Sequence, residues 1–187
     1  FNFMDGTDGH LSSLACMQCI LMIILISINR GQELILPIFI LLSLLIVFLK
    51  FNWSPAKIFM GDAGSLFVGI NLIIFIIISI KSLLISPIVM LIIFSYCLID
   101  GYGTVLIRLF FKKQWKKRHR SHPYQNFAMT NNHSSISKYV IIFHFFWLLP
   151  LSLLANEFKS FQFVVLIISI IPSLIFLKKF GPRYSTD

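Results

Sequence analysis

An all-α integral membrane protein, a bundle of about six transmembrane helices with its polar loops gathered at one face, is the fold class the sequence predicts. Three observations predict it. The composition is lopsided: 57% of the 187 residues are hydrophobic and 12% are charged, with a mean hydropathy of +0.87, where a soluble domain runs at about half apolar and about a quarter charged. The apolar residues come in continuous runs and do not alternate, so helices rather than barrel strands are expected in lipid. The basic residues crowd to one side of those runs. A soluble single-core protein and a disordered chain are excluded by the same figures, and a disulfide scaffold by a count of three cysteines.

A helix needs about 17 to 25 apolar residues to cross roughly 30 Å of hydrocarbon. Six runs reach or approach this length: 11–28, 34–49, 66–80, 83–109, 139–154 and 161–177. The second and third are short, but Lys50 and Lys81 flank them and their aliphatic stems reach to the interface. The fourth carries Asp100 in its second half. Six spans put Lys50, Lys57, Arg108, Lys112, Lys113, Lys116, Lys117, Arg118, Arg120, Lys138, Lys178, Lys179 and Arg183 on one side, and Arg30, Lys81 and Lys159 on the other. By the positive-inside rule both termini and the long basic loop are cytoplasmic. The net charge of +9 is then concentrated at one membrane face, where it serves the lipid bilayer, and no nucleic-acid partner is expected. The chain opens on Phe1, not Met, with a polar, Gly-rich start, and is expected to be the C-terminal portion, over 1–187, of a single polytopic domain. Cys16, Cys19 and Cys97 lie inside apolar stretches and read as small buried hydrophobes.

The loops on the sparsely charged side are too short to build a site, which leaves three cytoplasmic segments. The first, Asn2-Phe3-Met4-Asp5-Gly6-Thr7-Asp8-Gly9-His10, has two carboxylates three apart, on one side of a helical turn, and glycines that let another backbone or a flat ligand come close. In the second, residues 52–65 run into the third span, placing Asp62 at the N-terminal end of that helix, where free N–H groups and the dipole favour an anion. The third is the basic loop from Arg108 onward with His119-Arg120-Ser121-His122-Pro123-Tyr124-Gln125 at its centre. Asp100, Thr104 and Arg108 recur every four residues, a stripe expected to face the same cytoplasmic cavity; an ion pair of Asp100 with Arg108 is the bland alternative. His10, His133 and His144 read as structural, and most lysines of the 112–120 run read as anchors to anionic headgroups. Hard carboxylate oxygens beside a basic cluster suit a phosphorylated ligand, with a metal that takes only one or two protein carboxylates.

Three of these segments resemble one family. Asn2-Phe3-Met4-Asp5-Gly6-Thr7-Asp8-Gly9, Phe59-Met60-Gly61-Asp62-Ala63-Gly64-Ser65 and His119-Arg120-Ser121-His122 are similar, in the same order, to three blocks of the polyprenyl-phosphate N-acetylhexosamine-1-phosphate transferases, and Asp100, Thr104 and Arg108 resemble that family's D-x-x-x-T-x-x-x-R helix. The resemblance implies a membrane transferase of the bacterial inner membrane, active at its cytoplasmic face, that moves a sugar 1-phosphate from a UDP-N-acetylhexosamine to undecaprenyl phosphate and releases UMP, with Mg²⁺ or Mn²⁺. It implies Asp62 as metal ligand and catalytic residue with His119 and His122, and Asn2, Asp5, Asp8, Asp100, Arg108 and Arg120 as substrate-binding residues. The H-R-S-H-P-Y-Q sequence looks more like the O-antigen-initiating enzymes than the peptidoglycan enzyme. The family's paired-aspartate motif, which lies upstream, does not occur in the chain. A transporter or channel subunit with Asp100 on an ion path, and a catalytically dead remnant that still binds nucleotide or lipid phosphate, are the competing readings; a homodimer is left open.

Overall fold

The computed structural model describes residues 2–110 and 122–182. Its elements are helical throughout: α1 (His10–Ile28), α2 (Gln32–Asn52), α3 (Gly61–Lys81), α4 (Pro87–Leu98), α5 (Thr104–Phe110), α6 (Pro123–Thr130), α7 (His133–Phe143), α8 (Leu149–Glu157) and α9 (Gln162–Phe180). A π turn over Ile99–Gly103 joins α4 to α5, and a second over His144–Leu148 joins α7 to α8. Six spans result: His10–Ile28, Gln32–Asn52, Gly61–Lys81, Pro87–Phe110, Ser134–Glu157 and Lys159–Phe180. At about 1.5 Å per residue, each is about as long as the hydrocarbon core is thick. They match the six apolar runs and mostly extend past them, because the helices carry polar turns out to the interface; the fourth instead begins at Pro87, inside the run from 83, where Ser86 caps the helix and Pro87 opens it. The fifth begins at Ser134 where the apolar run suggests 139, and α6 stands within what reads as a continuous loop.

α1 is the central helix. Within the bundle 72% of its span is buried, against 50% or less of any other, as its all-round apolar surface with small polar residues requires. α2 and α3 flank α1 and turn Leu44, Val47, Phe67, Ile70 and Ile73 outward, the face that lipid covers. Polar side chains on such faces close onto their own helix: Ser43 Oγ donates to Phe39 O at 2.8 Å and Asn71 Nδ2 to Phe67 O at 2.8 Å, which removes the cost of an unpaired donor in hydrocarbon.

The two ends of the bundle are tied differently. At one, Asn29 Nδ2 donates to Leu84 O and to Asn156 Oδ1, and Ser86 Oγ donates to Gln162 Oε1, so the three short connections meet there. At the other, the segment before α1, the α2–α3 connection, α6 and the end of α9 converge. Asn126 Nδ2 donates to Phe180 O at 2.7 Å, fastening α6 to α9. The described parts of the three segments singled out in the sequence thus share one face, the face that also carries Lys50, Lys57, Lys138, Lys178 and Lys179.

Candidate functional site

The site begins with a short 3₁₀ turn, Asn2–Met4. Beyond it the chain is not helical, and Asp5 and Asp8 do not share one helical turn: each reaches a different backbone N–H of the α2–α3 connection. Asp5 Oδ2 accepts from Gly61 N–H at 3.0 Å and Asp8 Oδ2 from Ala56 N–H at 3.2 Å. Asp5 therefore supplies from outside the cap that Met60, the residue before α3, does not. Gly61 has φ +66°, a left-handed conformation that a side chain resists, and this bend brings its N–H to Asp5. Asp62 follows in the first turn of α3, exposed, where the helix dipole favours a negative charge. Burial holds the half-buried Asp5 carboxyl above the usual carboxylate range; the Gly61 N–H opposes this and the Asp62 charge adds to it.

Asn52, the last residue of α2, organises the connection. Its Oδ1 accepts from Gly9 N–H at 3.1 Å and from Ser12 Oγ at 3.0 Å, while its Nδ2 donates to Ile58 O at 2.9 Å. Ser137 Oγ donates to Asp8 O at 3.0 Å, tying α7 to the same acidic segment. Two main-chain strands of irregular backbone are satisfied by one buried amide, which is how a non-helical segment persists at the membrane interface.

On the other flank stands α6. His122 precedes it, with Pro123 at its first position and Gln125 completing a capping box. The His122 ring meets Asp100: Nδ1 lies 3.0 Å from Asp100 Oδ1, and Tyr124 N–H donates to Asp100 Oδ2 at 3.2 Å. Phe3 stacks on His122, with centroids 5.9 Å apart and 24° between the planes. The Tyr124 hydroxyl donates to Phe3 O, and burial followed by the Asp100 charge keeps that phenol well above its ordinary pKa, hence protonated. Gly6 leaves room for this: a Cβ there would meet Tyr124 Oη at 2.6 Å. The neighbour that the glycine admits is this side chain, where the sequence suggested a backbone or a flat ligand. His10 fastens the arrangement to the core, its Nδ1 facing Met4 O and its Nε2 Tyr96 Oη, each at 3.1 Å, with its ring stacked 4.4 Å from that of Tyr124.

The structure therefore brings Asp5, Asp8 and Asp62 together on one flank and Asp100 and His122 on the other, with Phe3 and Tyr124 between them. The stripe of Asp100, Thr104 and Arg108 does not line an open cavity along its length. Asp100 and Thr104 are buried, 3% and 0% exposed; the π turn brings Asp100 to the start of α6, and Arg108 is half-buried at the end. The partner of Asp100 is His122. His119 and Arg120 lie outside the described residues, as does the side chain of Asn2. Sequence reasoning missed Asn52, Tyr124 and Tyr96 and set His10 aside. The signal available for Asn52 was an amide at the polar end of an apolar run; for Tyr124 it was its place within the histidine block.

Among the described residues no three His, Cys, Asp or Glu side chains form a cluster able to hold a metal. The Asp62 charge acts on the Asp5 carboxyl, and a hard divalent cation that keeps water and substrate oxygens in its shell needs no more than one or two such carboxylates. Asp62, exposed at the helix start with Asp5 beside it, fits such an ion.

Residues 1–80 match the family model described as Glycosyl transferase family 4. A Bacillus subtilis protein named as a probable undecaprenyl-phosphate N-acetylglucosaminyl 1-phosphate transferase is 31% identical over 150 residues, 77% of this chain and 42% of that relative. A phospho-N-acetylmuramoyl-pentapeptide-transferase of Chlamydia caviae is 39% identical over 72 residues, 36% of this chain and 21% of the relative. The one from Streptococcus equi subsp. zooepidemicus is 44% identical over 69 residues, again 36% of this chain and 20% of the relative. The chain thus spans less than half the length of these relatives. No solved structure matches it.

Proposed function

Because the chain belongs to glycosyl transferase family 4, we propose that the protein transfers an N-acetylhexosamine 1-phosphate from a UDP-sugar to undecaprenyl phosphate, releasing UMP, as the first step of a cell-envelope polysaccharide. The observation that carries this reading is the meeting, on one basic face, of the Asp5–Asp62 carboxylates with the His122–Asp100 pair. In the reaction an oxygen of the lipid phosphate attacks the sugar-linked phosphorus, the bond from that phosphorus to the bridging oxygen breaks, and UMP departs with that oxygen. Asp62, with Asp5 beside it, would hold Mg²⁺, which when bound would supply neutralisation of charge on the phosphates. His122 and Arg108, with His119 and Arg120, grip the diphosphate, as charge-assisted donors do. Asp8 and Asn2 line the nucleotide side. The basic residues of this face support a cytoplasmic orientation for it at a bacterial inner membrane, on the side where UDP-sugars are made.

The match to the N-acetylglucosaminyl relative runs over 150 residues against 72 for the muramoyl-pentapeptide relative, which supports a donor without a peptide. The H-R-S-H-P-Y-Q block supports an O-antigen of lipopolysaccharide as the product. Membranes containing the full-length gene product, supplied with undecaprenyl phosphate, test this directly: UMP is expected from UDP-N-acetylglucosamine or a related UDP-N-acetylhexosamine, and is expected to stop when EDTA removes divalent cations. Release from the muramoyl-pentapeptide donor alone would move the protein to peptidoglycan synthesis. No release from any UDP-sugar would end the transferase reading.

A further inference from the structure

We propose that Asp100 is a positioning residue: it does not meet the substrate but holds the His122 imidazole by Nδ1, so that Nε2 is the nitrogen presented to the phosphates. The proposal rests on the transferase reading and departs from the substrate-binding role that the resemblance implies for Asp100.

The geometry carries it. The Asp100 side chain is 2% exposed and that of His122 10%, so the carboxylate is the more deeply buried of the pair. Both Asp100 oxygens are engaged, Oδ1 with His122 Nδ1 at 3.0 Å and Oδ2 with Tyr124 N–H at 3.2 Å. A carboxylate only accepts, so Nδ1 carries the proton of this bond and Nε2 is left on the far side of the ring. The same carboxylate turned toward a diphosphate would meet like charge. The ring and its backbone are fixed from other directions as well. Phe3 stacks on its face, His122 O accepts from Gln125 N–H at 3.0 Å and Asn126 N–H at 3.1 Å, and His122 N–H donates to Gln125 Oε1. A π turn, Ile99–Gly103, puts Asp100 where α6 begins, and π turns often stand where a helix serves a site. Such an outer partner sets the tautomer and direction of the imidazole it holds.

The experiment compares steady-state UMP release by the full-length wild type with Asp100→Asn, His122→Asn, His122→Ala and the Asp100→Asn/His122→Asn double variant, each normalised to folded protein in detergent. Asn at 122 carries an amide N–H in the place of Nδ1, so it keeps a donor for Asp100 while removing the outward nitrogen, which separates the fold from the chemistry. Asp100→Asn is expected to lower kcat by about 10- to 100-fold, with KM for the UDP-sugar moved by no more than about threefold. Added to His122→Asn, it is expected to cost less than about a further threefold, because both act through one ring. Losses that multiply in the double variant, or a raised KM with kcat unchanged, overturn the positioning role and leave the transferase reading standing. Should Asp100→Asn not accumulate, the histidine variants decide: His122→Asn and His122→Ala are expected to be equally impaired, and a fully active His122→Asn overturns the proposal. A wild type that releases no UMP overturns the transferase reading itself.

Discussion

Gly61 holds φ +66° in open space, since a Cβ added there meets nothing within 4 Å. The cost of Gly61→Ala is therefore backbone strain alone, about 1–2 kcal/mol, and is expected as a lowered unfolding temperature in detergent. An unchanged midpoint would mean that the bend at the start of α3 is not held as described. Asp5 gives a pH-dependent counterpart. Its folded carboxyl is raised by burial and by Asp62, so the folded chain takes up this proton more readily than the unfolded one. The contribution is complete below the ordinary aspartate value and is lost as pH rises through the raised one. Without divalent cation, wild type is expected to gain stability over Asp5→Asn as pH falls from 7 toward 4, and a difference independent of pH contradicts this. The acids of the site were legible in the sequence because acids are so rare in this chain. Their partners were not. Asp100 was placed by the helical spacing of its own segment, which reaches Arg108, whereas its partner His122 is 22 residues further on, just before another helix.

The elements show why the bundle was easier to read than the site. Length and hydrophobicity alone fix a spanning helix, so six apolar runs became six spans with ends moved by a few residues. The π turns, which shift the register at Asp100 and His144, leave no comparable mark in composition, and neither does α6, an eight-residue helix whose basis is its cap and its contacts. Connections between spans depend on single amides. Asn52→Ala would leave Gly9 N–H, Ser12 Oγ and Ile58 O without the partner each now has, at about 1–3 kcal/mol for each group that water cannot reach. Faster amide hydrogen exchange is expected over residues 53–60 and 5–9, with the far end of the bundle unaffected. Loosening spread evenly along all six spans would show that Asn52 is not the local tie.

At the scale of the whole molecule, the two ends of the bundle differ in charge and in content. The end with short connections is tied by Asn29, Asn156 and Leu84, and the other gathers every candidate site residue that the structure describes. Exposed Lys57 and Lys138 stand at the site end, exposed Lys81 and Lys159 at the other. Single-cysteine variants at these four positions, in a background lacking Cys16, Cys19 and Cys97, are expected to separate cleanly under a membrane-impermeant thiol reagent. Lys57→Cys and Lys138→Cys should label only from the cytoplasmic side, and Lys81→Cys and Lys159→Cys only from the opposite side. Lys57→Cys and Lys81→Cys labelled from the same side would break the six-span arrangement. The central claim, that the acidic end of α3 is where phosphoryl transfer takes place, is tested most directly by UMP release from membranes carrying Asp62→Asn, compared with wild type at equal protein. A loss of at least about 100-fold is expected from removing a charge that positions the reacting phosphates. Unchanged release would contradict it.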